Sequence, residues 1–469
     1  MDHRLASFKA YDIRGRVPEN LDAELAFALG RALAEVLPAH SVVVGRDVRL
    51  SGPVLRDALV SGLSAAGVHV TDIGLCGTEE IYHAAARPPS PNAPFDAGVM
   101  ITGSHNPADE NGFKIVRGGA IPVSGDSGLY AIRDRVEEIL HEQLSSGAMP
   151  TPSANAASFR SEYVRWLLRY SGFEGFDSPK KRLKIVADSG NGCAGLVLSE
   201  LTNHLPFEIV PLHWEPDGHF PNGVPNPLLP ERRAATSAAV REAGADMGVA
   251  WDGDFDRCFL YDGEGRFIEG YYCVGLLAAE LLRGHPGAKI VHDPRVYWNT
   301  REMVLAAGGR PVMGKTGHAF IKERMRAEDA LYGGEMSAHH YFRDFAYCDS
   351  GMLPWLLVAS LLQRTGRSLA ELVAERMNAY PCSGEINRRV SDPRGILERL
   401  RDHYAPGAVH EDRLDGINLE FPNWRFNVRM SNTEPLLRLN VETRGDRPLL
   451  EDKTAELLKW LEDHGAIVA

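Results

Sequence analysis

The chain repeats one arrangement, in which an apolar strand ends in a polar turn that leads into a helix, and this repeat constrains the fold most. The first copy predicts strands at residues 42–45 and 68–73, joined by a helix that begins after Ser51 and ends at Gly67. We expect that helix to present one apolar face, formed by Val54, Leu55, Ala58, Leu59 and Leu63. Similar strands and turns begin at residues 185–192 and 290–295. The three copies indicate three related modules, although any strand-to-helix turn has some of this character.

The pattern changes after residue 381. Residues 393–403 and 449–463 read as helices, and three strand-like runs at 417–421, 426–429 and 436–442 lie between them. This order predicts a separate C-terminal α+β domain. Residues 145–157, which are rich in Ser, Ala and Pro, read as a linker.

Length and composition indicate a soluble, multidomain protein. A length of 469 residues suggests about three domains, and 51 basic against 63 acidic residues give a formal net charge of −12. That charge argues against nucleic acid or an anionic membrane as the main partner. The six cysteines have no paired spacing and read as reduced thiols. The most apolar stretch, residues 352–362, is short and contains a proline, so we expect no membrane span and a cytoplasmic protein.

A serine-bearing turn follows the apolar run at 99–101. Ser104 lies in the sequence Thr-Gly-Ser-His-Asn-Pro, and Lys114 follows on the next apolar strand, residues 113–116. A serine that carries a covalent intermediate needs an exposed oxygen, a rigid backbone and nearby cations. We expect Gly103 to let the chain turn tightly and Pro107 to stiffen it. An ordinary polar turn would have the same residues, so the turn alone does not establish catalysis.

Three carboxylates follow a second buried strand, residues 247–251. Asp252, Asp254 and Asp256 alternate, which puts them on one side of the chain, and Arg257 comes next. Three hard oxygen ligands suit a magnesium ion whose other partners are phosphate oxygens and water. An EF-hand counted from Asp252 would need glycine and glutamate where Arg257 and Gly263 stand, so a calcium loop is excluded. A solvated acidic turn stays the simpler alternative.

Two further clusters indicate an anionic substrate that carries hydroxyl groups. Glu335 and Ser337 follow a short apolar run and could share the hydroxyls of one sugar. Near the C-terminus, a run of small polar residues is bracketed by two arginines, as a phosphate cradle without a metal requires. Its members are Arg429, Ser431, Asn432, Thr433 and Arg438. A decorated hairpin turn would look similar.

One motif favours another class of protein, the nucleotide-binding P-loop enzymes. Residues 309–316 satisfy the Walker A pattern, which is typical of nucleotide-dependent kinases and ATPases. A P-loop must follow a strand, but here residues 302–307 read as helix and residues 311–313 read as strand inside the motif. The P-loop kinase is therefore a remote alternative. A non-catalytic sugar-phosphate binder would be expected to lack the candidate nucleophile or the candidate metal ligands, and the sequence keeps both sets of residues.

Together with Lys-Ala-Tyr-Asp-Ile-Arg-Gly at residues 9–15, these clusters resemble the α-D-phosphohexomutases, the phosphoglucomutase and phosphomannomutase superfamily. The resemblance covers nearly the whole chain and is closest to bacterial phosphomannomutases that supply GDP-mannose for surface polysaccharide. It implies an α/β fold with three related α/β domains of mixed sheet flanked by helices, plus a C-terminal α+β domain, around a central cleft. The expected boundaries are 1–150 for the phosphoserine domain, 158–257 for the metal-binding domain, 258–377 for the sugar-recognition domain and 378–469 for the phosphate-binding domain.

The resemblance also implies residue roles. Ser104 would be the phosphoserine, and its phosphate would complete a Mg²⁺ shell made by Asp252, Asp254 and Asp256. The other assignments fall into two groups. The implied catalytic residues are Ser104, Lys114, His318, His339 and Arg14, with Lys114, His318 and His339 as acid–base candidates near neutral pKa. The implied substrate-binding residues are Tyr11, His105, Arg257, Arg295, Glu335, Ser337, Arg429, Ser431, Asn432, Thr433 and Arg438.

Two departures from the family pattern stand out. Arg295 replaces a lysine that relatives often carry, so its role is open, and Ala338 replaces a frequent glycine. The implied reaction interconverts mannose 6-phosphate and mannose 1-phosphate through a hexose 1,6-bisphosphate, which also serves as activator. Phosphoglucomutase or dual specificity is the alternative, and Met336 argues against glucosamine specificity. The expected partner is a hexose phosphate, and the expected state is a monomer or homodimer.

Overall fold

The computed structural model describes residues 2–88, 94–143, 150–175, 182–431 and 435–468. The chain forms two compact units. The first contains residues 1–267 and 339–366, and the second contains residues 268–338 and 367–469.

The first unit begins with a mixed sheet in the order β1-β5-β4-β2-β3-β7, with β6 paired to β5. Its strands are β1 Ile13–Arg16, β2 Ser41–Arg46, β3 His69–Leu75, β4 Ala97–Ile101, β5 Glu110–Arg117, β6 Ile121–Pro122 and β7 Asn155–Ala156. The helices that accompany it are α1 Ala23–Val36, α2 Gly52–Ala65, α3 Thr78–Ala86 and α4 Leu129–Gln143. Strand β2 runs parallel to both β3 and β4, which places the turns after β2 and β4 at the same edge.

Sequence predicted most of this first module. Strands β2 and β3 and helix α2 lie where the pattern placed them. Val54 is an exception, because it is 60% exposed and does not belong to the apolar face, whereas Leu55, Ala58, Leu59 and Leu63 are buried. The predicted linker is partly wrong as well. Asn155 and Ala156 pair with β3, while residues 144–149 lie outside the described residues.

A second mixed sheet of the first unit has the order β12-β11-β10-β8-β9. The elements of this region are α5 Arg160–Ser171, β8 Lys184–Asp188, α6 Ala194–Leu201, β9 Glu208–Leu212, α7 Ala234–Ala243, β10 Met247–Trp251, β11 Cys258–Asp262 and β12 Phe267–Ile268. Strand β10 is fully buried, as its apolar sequence predicted.

The chain then enters the second unit, where β13 is flanked by β14 and β15, both parallel to it. The elements here are α8 Gly270–Leu282, β13 Lys289–His292, α9 Trp298–Ala306, β14 Arg310–Met313, α10 His318–Glu328 and β15 Tyr332–Gly334. The chain next returns to the first unit with an antiparallel pair and a helix, β16 His340–Phe342, β17 Cys348–Asp349 and α11 Met352–Thr365. Helix α11 packs against α5 and β11.

The rest of the second unit is an antiparallel sheet in the order β19-β20-β21-β22-β18-β23. The remaining elements are α12 Leu369–Ala379, β18 Ile386–Arg389, α13 Pro393–Tyr404, β19 His410–Asp412, β20 Ile417–Glu420, β21 Trp424–Met430, β22 Leu436–Thr443, α14 Arg447–Asp463 and β23 Ile467–Val468. Helices α13 and α14 pack on this sheet around Leu400, Phe426 and Leu457. The predicted fold class, three α/β domains followed by an α+β domain, is confirmed.

The described helices include none with the length and hydropathy that crossing a membrane would require. All six cysteines are free thiols, and five of them are buried.

A buried carboxylate joins three helices of the first unit. Glu79, at the start of α3, is fully buried and accepts hydrogen bonds from the backbone N–H groups of Gly351 and Met352 at 2.7 and 3.1 Å, where α11 begins. The Tyr163 hydroxyl on α5 donates to the same carboxyl at 2.5 Å. Burial raises the pKa of Glu79 to about 8, against the lowering effect of these hydrogen bonds.

Stability should depend on the pH through this group. Because the folded pKa lies above the ordinary value of 4.5, the Glu79 contribution is complete below pH 4.5 and is lost as the pH rises through 8, at up to roughly 1.4 kcal/mol per pH unit. We therefore expect the stability gap between the wild type and Glu79→Gln, measured by urea unfolding from pH 5 to 9, to shrink as the pH rises. A gap that stays constant over that range would contradict the raised pKa.

Candidate active site

The Ser104 turn lies at the end of β4. Ser104 has a left-handed backbone with φ of 49°, and its Oγ donates to Oδ2 of Asp252 at 2.8 Å. The residue is only 2% exposed, so the expectation of an exposed oxygen is wrong for this state of the protein. The tight turn is made by Ser104 rather than by Gly103. Gly103 is needed for another reason, since a Cβ there would lie 2.2 Å from the guanidinium carbon of Arg49.

Two residues of the turn after β2, Asp47 and Arg49, hold this loop through hydrogen bonds, and we call this pair the Asp-x-Arg brace. Oδ2 of Asp47 accepts from the Thr102 hydroxyl and from the Gly103 backbone N–H, and its Oδ1 accepts from the Arg49 backbone N–H. The Arg49 side chain is fully buried and donates to four backbone carbonyls of the loop, those of Ser104, Asn106, Pro107 and Glu110, at 2.5–3.0 Å. Sequence analysis missed both residues. The signal was the Asp-x-Arg spacing at a strand end, which recurs at Asp293 and Arg295.

The three aspartates converge after β10. Their ligand oxygens lie within 4.8 Å of one another, and each residue is at most 2% exposed. Phe255 turns the chain between the last two with φ of 49°. Among the described residues, Oδ1 of Asp254 and Oδ1 of Asp256 are buried without a hydrogen-bond partner, which leaves two acceptors for a cation. Hard carboxylate oxygens in this arrangement fit a divalent metal ion.

Lys114 and Thr78 complete the acidic cluster. Nζ of Lys114 donates to Oδ2 of Asp254 at 2.7 Å and also contacts Asp256, and the Thr78 hydroxyl donates to Oδ2 of Asp254 at 2.6 Å. Burial alone would lower the pKa of Lys114, but Asp254 and Asp256 raise it above its ordinary value. In this arrangement the pKa of Lys114 therefore lies above the near-neutral range expected of an acid–base group. Thr78, in the first turn of α3, had no distinctive sequence signal.

Cationic and histidine side chains surround the serine. Nε of Arg257 lies 3.2 Å from Oδ2 of Asp252, and its guanidinium contacts Nδ1 of His105. Burial, followed by the charge of Arg257, holds the pKa of His105 well below its usual value. Nη1 of Arg14, on β1, donates to the carbonyl of Thr102 at 2.5 Å, and Tyr11 lies half-buried just before that strand.

His339 also belongs to this cluster. Its Nε2 lies 3.6 Å from Oδ1 of Asp256 and 4.0 Å from Oδ2 of Asp349, and its backbone forms a bridge with Arg257. The first unit therefore brings together Ser104, the three aspartates, Lys114, Arg257, His105 and His339. Of the acid–base candidates, His339 is the imidazole beside the aspartates, and His318 begins α10 in the second unit.

The sugar-recognition residues lie in the second unit. Glu335 is 1% exposed and accepts from the Gly317 backbone N–H at 2.8 Å. Ser337 follows it, half-buried, and Ala338 adopts a left-handed backbone with φ of 66°, a conformation that favours glycine. Arg295 forms an ion pair with Asp293 at 2.6 Å and lies 3.7 Å from Glu335. Oδ2 of Asp293 also accepts from the Met336 backbone N–H at 3.1 Å, so the Asp-x-Arg brace occurs here again.

Two arginines of the predicted phosphate cradle lie on β21 and β22. Arg429 and Arg438 are direct cross-strand partners, and Nη2 of Arg438 donates to the Ser431 hydroxyl at 3.4 Å. Asn432 and Thr433 lie outside the described residues. The sequence did not point to Glu385, which pairs with Arg295, Arg429 and Arg438.

The Walker A match has the wrong context. Residues 310–313 of the motif form β14, and helix α9 rather than a strand precedes it. The motif therefore does not form a P-loop.

Fold and site together define a phosphoryl-transfer mutase, and comparisons with known proteins agree. Models of the phosphoglucomutase/phosphomannomutase family match in four parts: domain I at residues 5–143, domain II at 161–265, domain III at 269–380 and the C-terminal domain at 385–459. The chain belongs to this phosphohexomutase family, whose members are intramolecular phosphotransferases.

Individual relatives cover nearly the whole chain. It is 56% identical over 457 residues to a protein named phosphohexose mutases from Xanthomonas campestris, covering 97% of this chain and 99% of the relative. It is 54% identical over 464 residues to a phosphomannomutase from Salmonella montevideo, covering 98% and 99%. The crystal structure of a phosphoglucomutase/phosphomannomutase family protein from Burkholderia thailandensis matches with a TM-score of 0.84 at 32% identity, covering 98% and 97%.

Proposed function

We propose that this protein is a phosphomannomutase, which interconverts mannose 6-phosphate and mannose 1-phosphate through a phosphorylated Ser104. The observation that carries the proposal is the hydroxyl of Ser104, held 2.8 Å from Asp252 among three converging aspartates, Lys114 and Arg257. A serine in this setting can exchange a phosphoryl group, because nearby cations stabilise the charge on that group.

The reaction follows from the distance between the two oxygens that exchange the phosphate. The 1- and 6-oxygens of a hexose are too far apart for direct transfer, so phosphoserine donates first to the free hydroxyl and yields hexose 1,6-bisphosphate. The P–O bond to Ser104 breaks as a P–O bond to the sugar forms. The sugar hydroxyl gives its proton to a base, for which His339 is our proposal, and Oγ of Ser104 takes up a proton. The bisphosphate then turns around and its other sugar O–P bond breaks as the phosphate returns to Oγ of Ser104, which gives up its proton while the sugar oxygen gains one.

Asp252, Asp254 and Asp256 would hold the magnesium ion, which would supply charge neutralisation for the transferring group. Oδ1 of Asp254 and Oδ1 of Asp256 are the acceptors suited to it. Arg257 and Arg14 position the Ser104 loop and supply positive charge beside it. Hexose 1,6-bisphosphate is the proposed activator, because it phosphorylates an enzyme that has lost its phosphate.

We assign the sugar hydroxyls to Glu335 and Ser337, and Tyr11, His105 and Arg295 also to substrate binding. Lys114 and His318 stay acid–base candidates beside His339. The cradle of Arg429, Ser431, Asn432, Thr433 and Arg438 would bind the phosphate that is not reacting. We further propose the four domains inferred from the sequence, with the metal-binding domain extended past residue 257 to include β11, which pairs with β10. We also propose that the enzyme acts in the cytoplasm as a monomer or homodimer, and that its product supplies GDP-mannose for surface polysaccharide.

Initial rates on mannose 1-phosphate and glucose 1-phosphate test this proposal. With magnesium, a trace of hexose 1,6-bisphosphate and no nucleotide, we expect turnover of both sugars and faster turnover of mannose. Groups that contact only the 3- and 4-hydroxyls do not distinguish the two sugars, so equal rates would indicate dual specificity. A preference for glucose would replace the assignment with phosphoglucomutase. An absolute requirement for ATP would contradict the mutase mechanism.

A further inference from the structure

One carboxylate of the second unit, that of Glu385, lies among three arginines, Arg295, Arg429 and Arg438. Oε2 of Glu385 accepts from Nη1 of Arg295 at 2.9 Å and from Nη2 of Arg429 at 3.3 Å. Its Oε1 accepts from Nη1 of Arg438 at 3.3 Å. Burial would raise the pKa of Glu385, but the three arginines lower it to about 2, so the group is ionised at neutral pH.

Two of these arginines have nitrogen donors that form no hydrogen bond within the described residues. Among the described residues, Nε of Arg429 and Nε of Arg438 are buried without a hydrogen-bond partner, although each side chain also reaches Glu385 through a terminal nitrogen. Other buried arginines of the described residues also have an unpaired Nε, so these two nitrogens do not by themselves identify a ligand. Because the two guanidinium groups converge on one carboxylate with Arg295, their unpaired nitrogens are available to a group that has more acceptors than Glu385. A phosphate group offers three oxygens where Glu385 offers two.

We propose that Glu385 is an internal counter-anion of Arg295, Arg429 and Arg438, which positions these three arginines in the absence of substrate and competes with the phosphate of the sugar. This inference rests on the proposed role of Arg429 and Arg438 and deepens it. Without Glu385, three cationic side chains would face one another, a repulsion that already contributes to the lowered pKa of Arg429 after the larger effect of burial.

The competition has a use in the reaction. The bisphosphate intermediate must withdraw one phosphate from the cradle and return with the other, so tight phosphate binding would slow the exchange. The carboxylate of Glu385 stays beside the arginines and pairs with them again when the phosphate leaves. Glu385 is thus a positioning residue that weakens binding and speeds release.

Titration with inorganic phosphate, followed by calorimetry and by the shift in melting temperature, tests the inference. We expect Glu385→Gln to bind phosphate about tenfold more tightly than the wild type, the scale of one charge-assisted contact. Glu385→Asp keeps the charge and should behave like the wild type. Glu411→Gln is a matched control, because Glu411 pairs with Arg401 at 2.8 Å and lies outside the cradle cluster. Equal or weaker phosphate binding by Glu385→Gln would overturn the inference.

Two further measurements locate the effect. The tighter binding of inorganic phosphate should disappear in the double variant Glu385→Gln/Arg438→Gln. If the double variant still bound phosphate more tightly than the wild type, the phosphate would be binding away from Arg438, and the inference would be overturned. In steady-state assays, Glu385→Gln should lower both KM and kcat, because release slows as binding tightens. The phosphate titration needs no turnover. It therefore tests Glu385 even if the mutase assignment fails, and a failed titration leaves the mutase assignment intact.

Discussion

Ser104→Ala is expected to abolish mutase turnover, with a loss on the order of 10⁴-fold or more, because no other group replaces a covalent phosphoryl carrier. The fold should remain, since the substitution removes one oxygen that bonds to Asp252 and leaves the loop contacts of Arg49 in place. The measurements are the initial rate, the transfer of labelled phosphate from hexose 1,6-bisphosphate to the protein, and the melting temperature.

A matched control is Ser7→Ala, which removes another serine of the first unit whose hydroxyl donates to a local carbonyl, that of Arg4, at 2.7 Å. This control should keep full activity and still take up labelled phosphate. Substantial activity in Ser104→Ala, or labelling of that variant at the wild-type level, would rule out a phosphoserine at position 104.

Arg49→Met should have the second largest effect. It deprives four backbone carbonyls of a buried donor and leaves Asp47 without its charged partner, so we expect at least about 3 kcal/mol of lost stability. We also expect kcat to fall about 100-fold, because the left-handed backbone of Ser104 loses its support. Urea unfolding and steady-state kinetics measure the two effects.

Arg49→Lys separates charge from shape. Lysine keeps the positive charge but has a single nitrogen in place of the planar fork that reaches four carbonyls, so we expect it to recover little activity. Arg56→Met is the control, since Arg56 pairs with Asp72 near the surface, and it should change activity little. An Arg49→Met enzyme with wild-type kcat would show that the brace does not position the serine.

The sequence was most informative where function depends on neighbours along the chain. Strand β10 and the aspartates after it were recognisable because apolar runs and alternating carboxylates are local patterns. The brace by Arg49 and the cradle contact of Glu385 were not recognisable, since they join residues about 50 positions apart. The Asp-x-Arg spacing could have marked Arg49 as a candidate, but no spacing in the sequence indicates which distant residues Arg49 or Glu385 contacts.

The protonation state of side chains could not be predicted from the sequence either. The sequence identified Lys114 as a candidate base, but its charge depends on Asp254 and Asp256, which lie some 140 positions further along.

The sequence did not predict strained backbone conformations either. Nothing local indicated that Ser104 would take a left-handed conformation, or that Ala338 would do so in place of a glycine.

The same backbone contact occurs in two of the strand–turn–helix modules. Asp47 fixes the backbone N–H of Gly103, immediately before Ser104, and Asp293 fixes the backbone N–H of Met336, immediately before Ser337. The two serines are therefore counterparts, one assigned to chemistry and the other to reading sugar hydroxyls. Both contacts are what two copies of one strand–turn–helix module would share, in agreement with the repeat that the sequence predicts. Exchange of the two loops between their braces is a rational starting point for engineering new specificities.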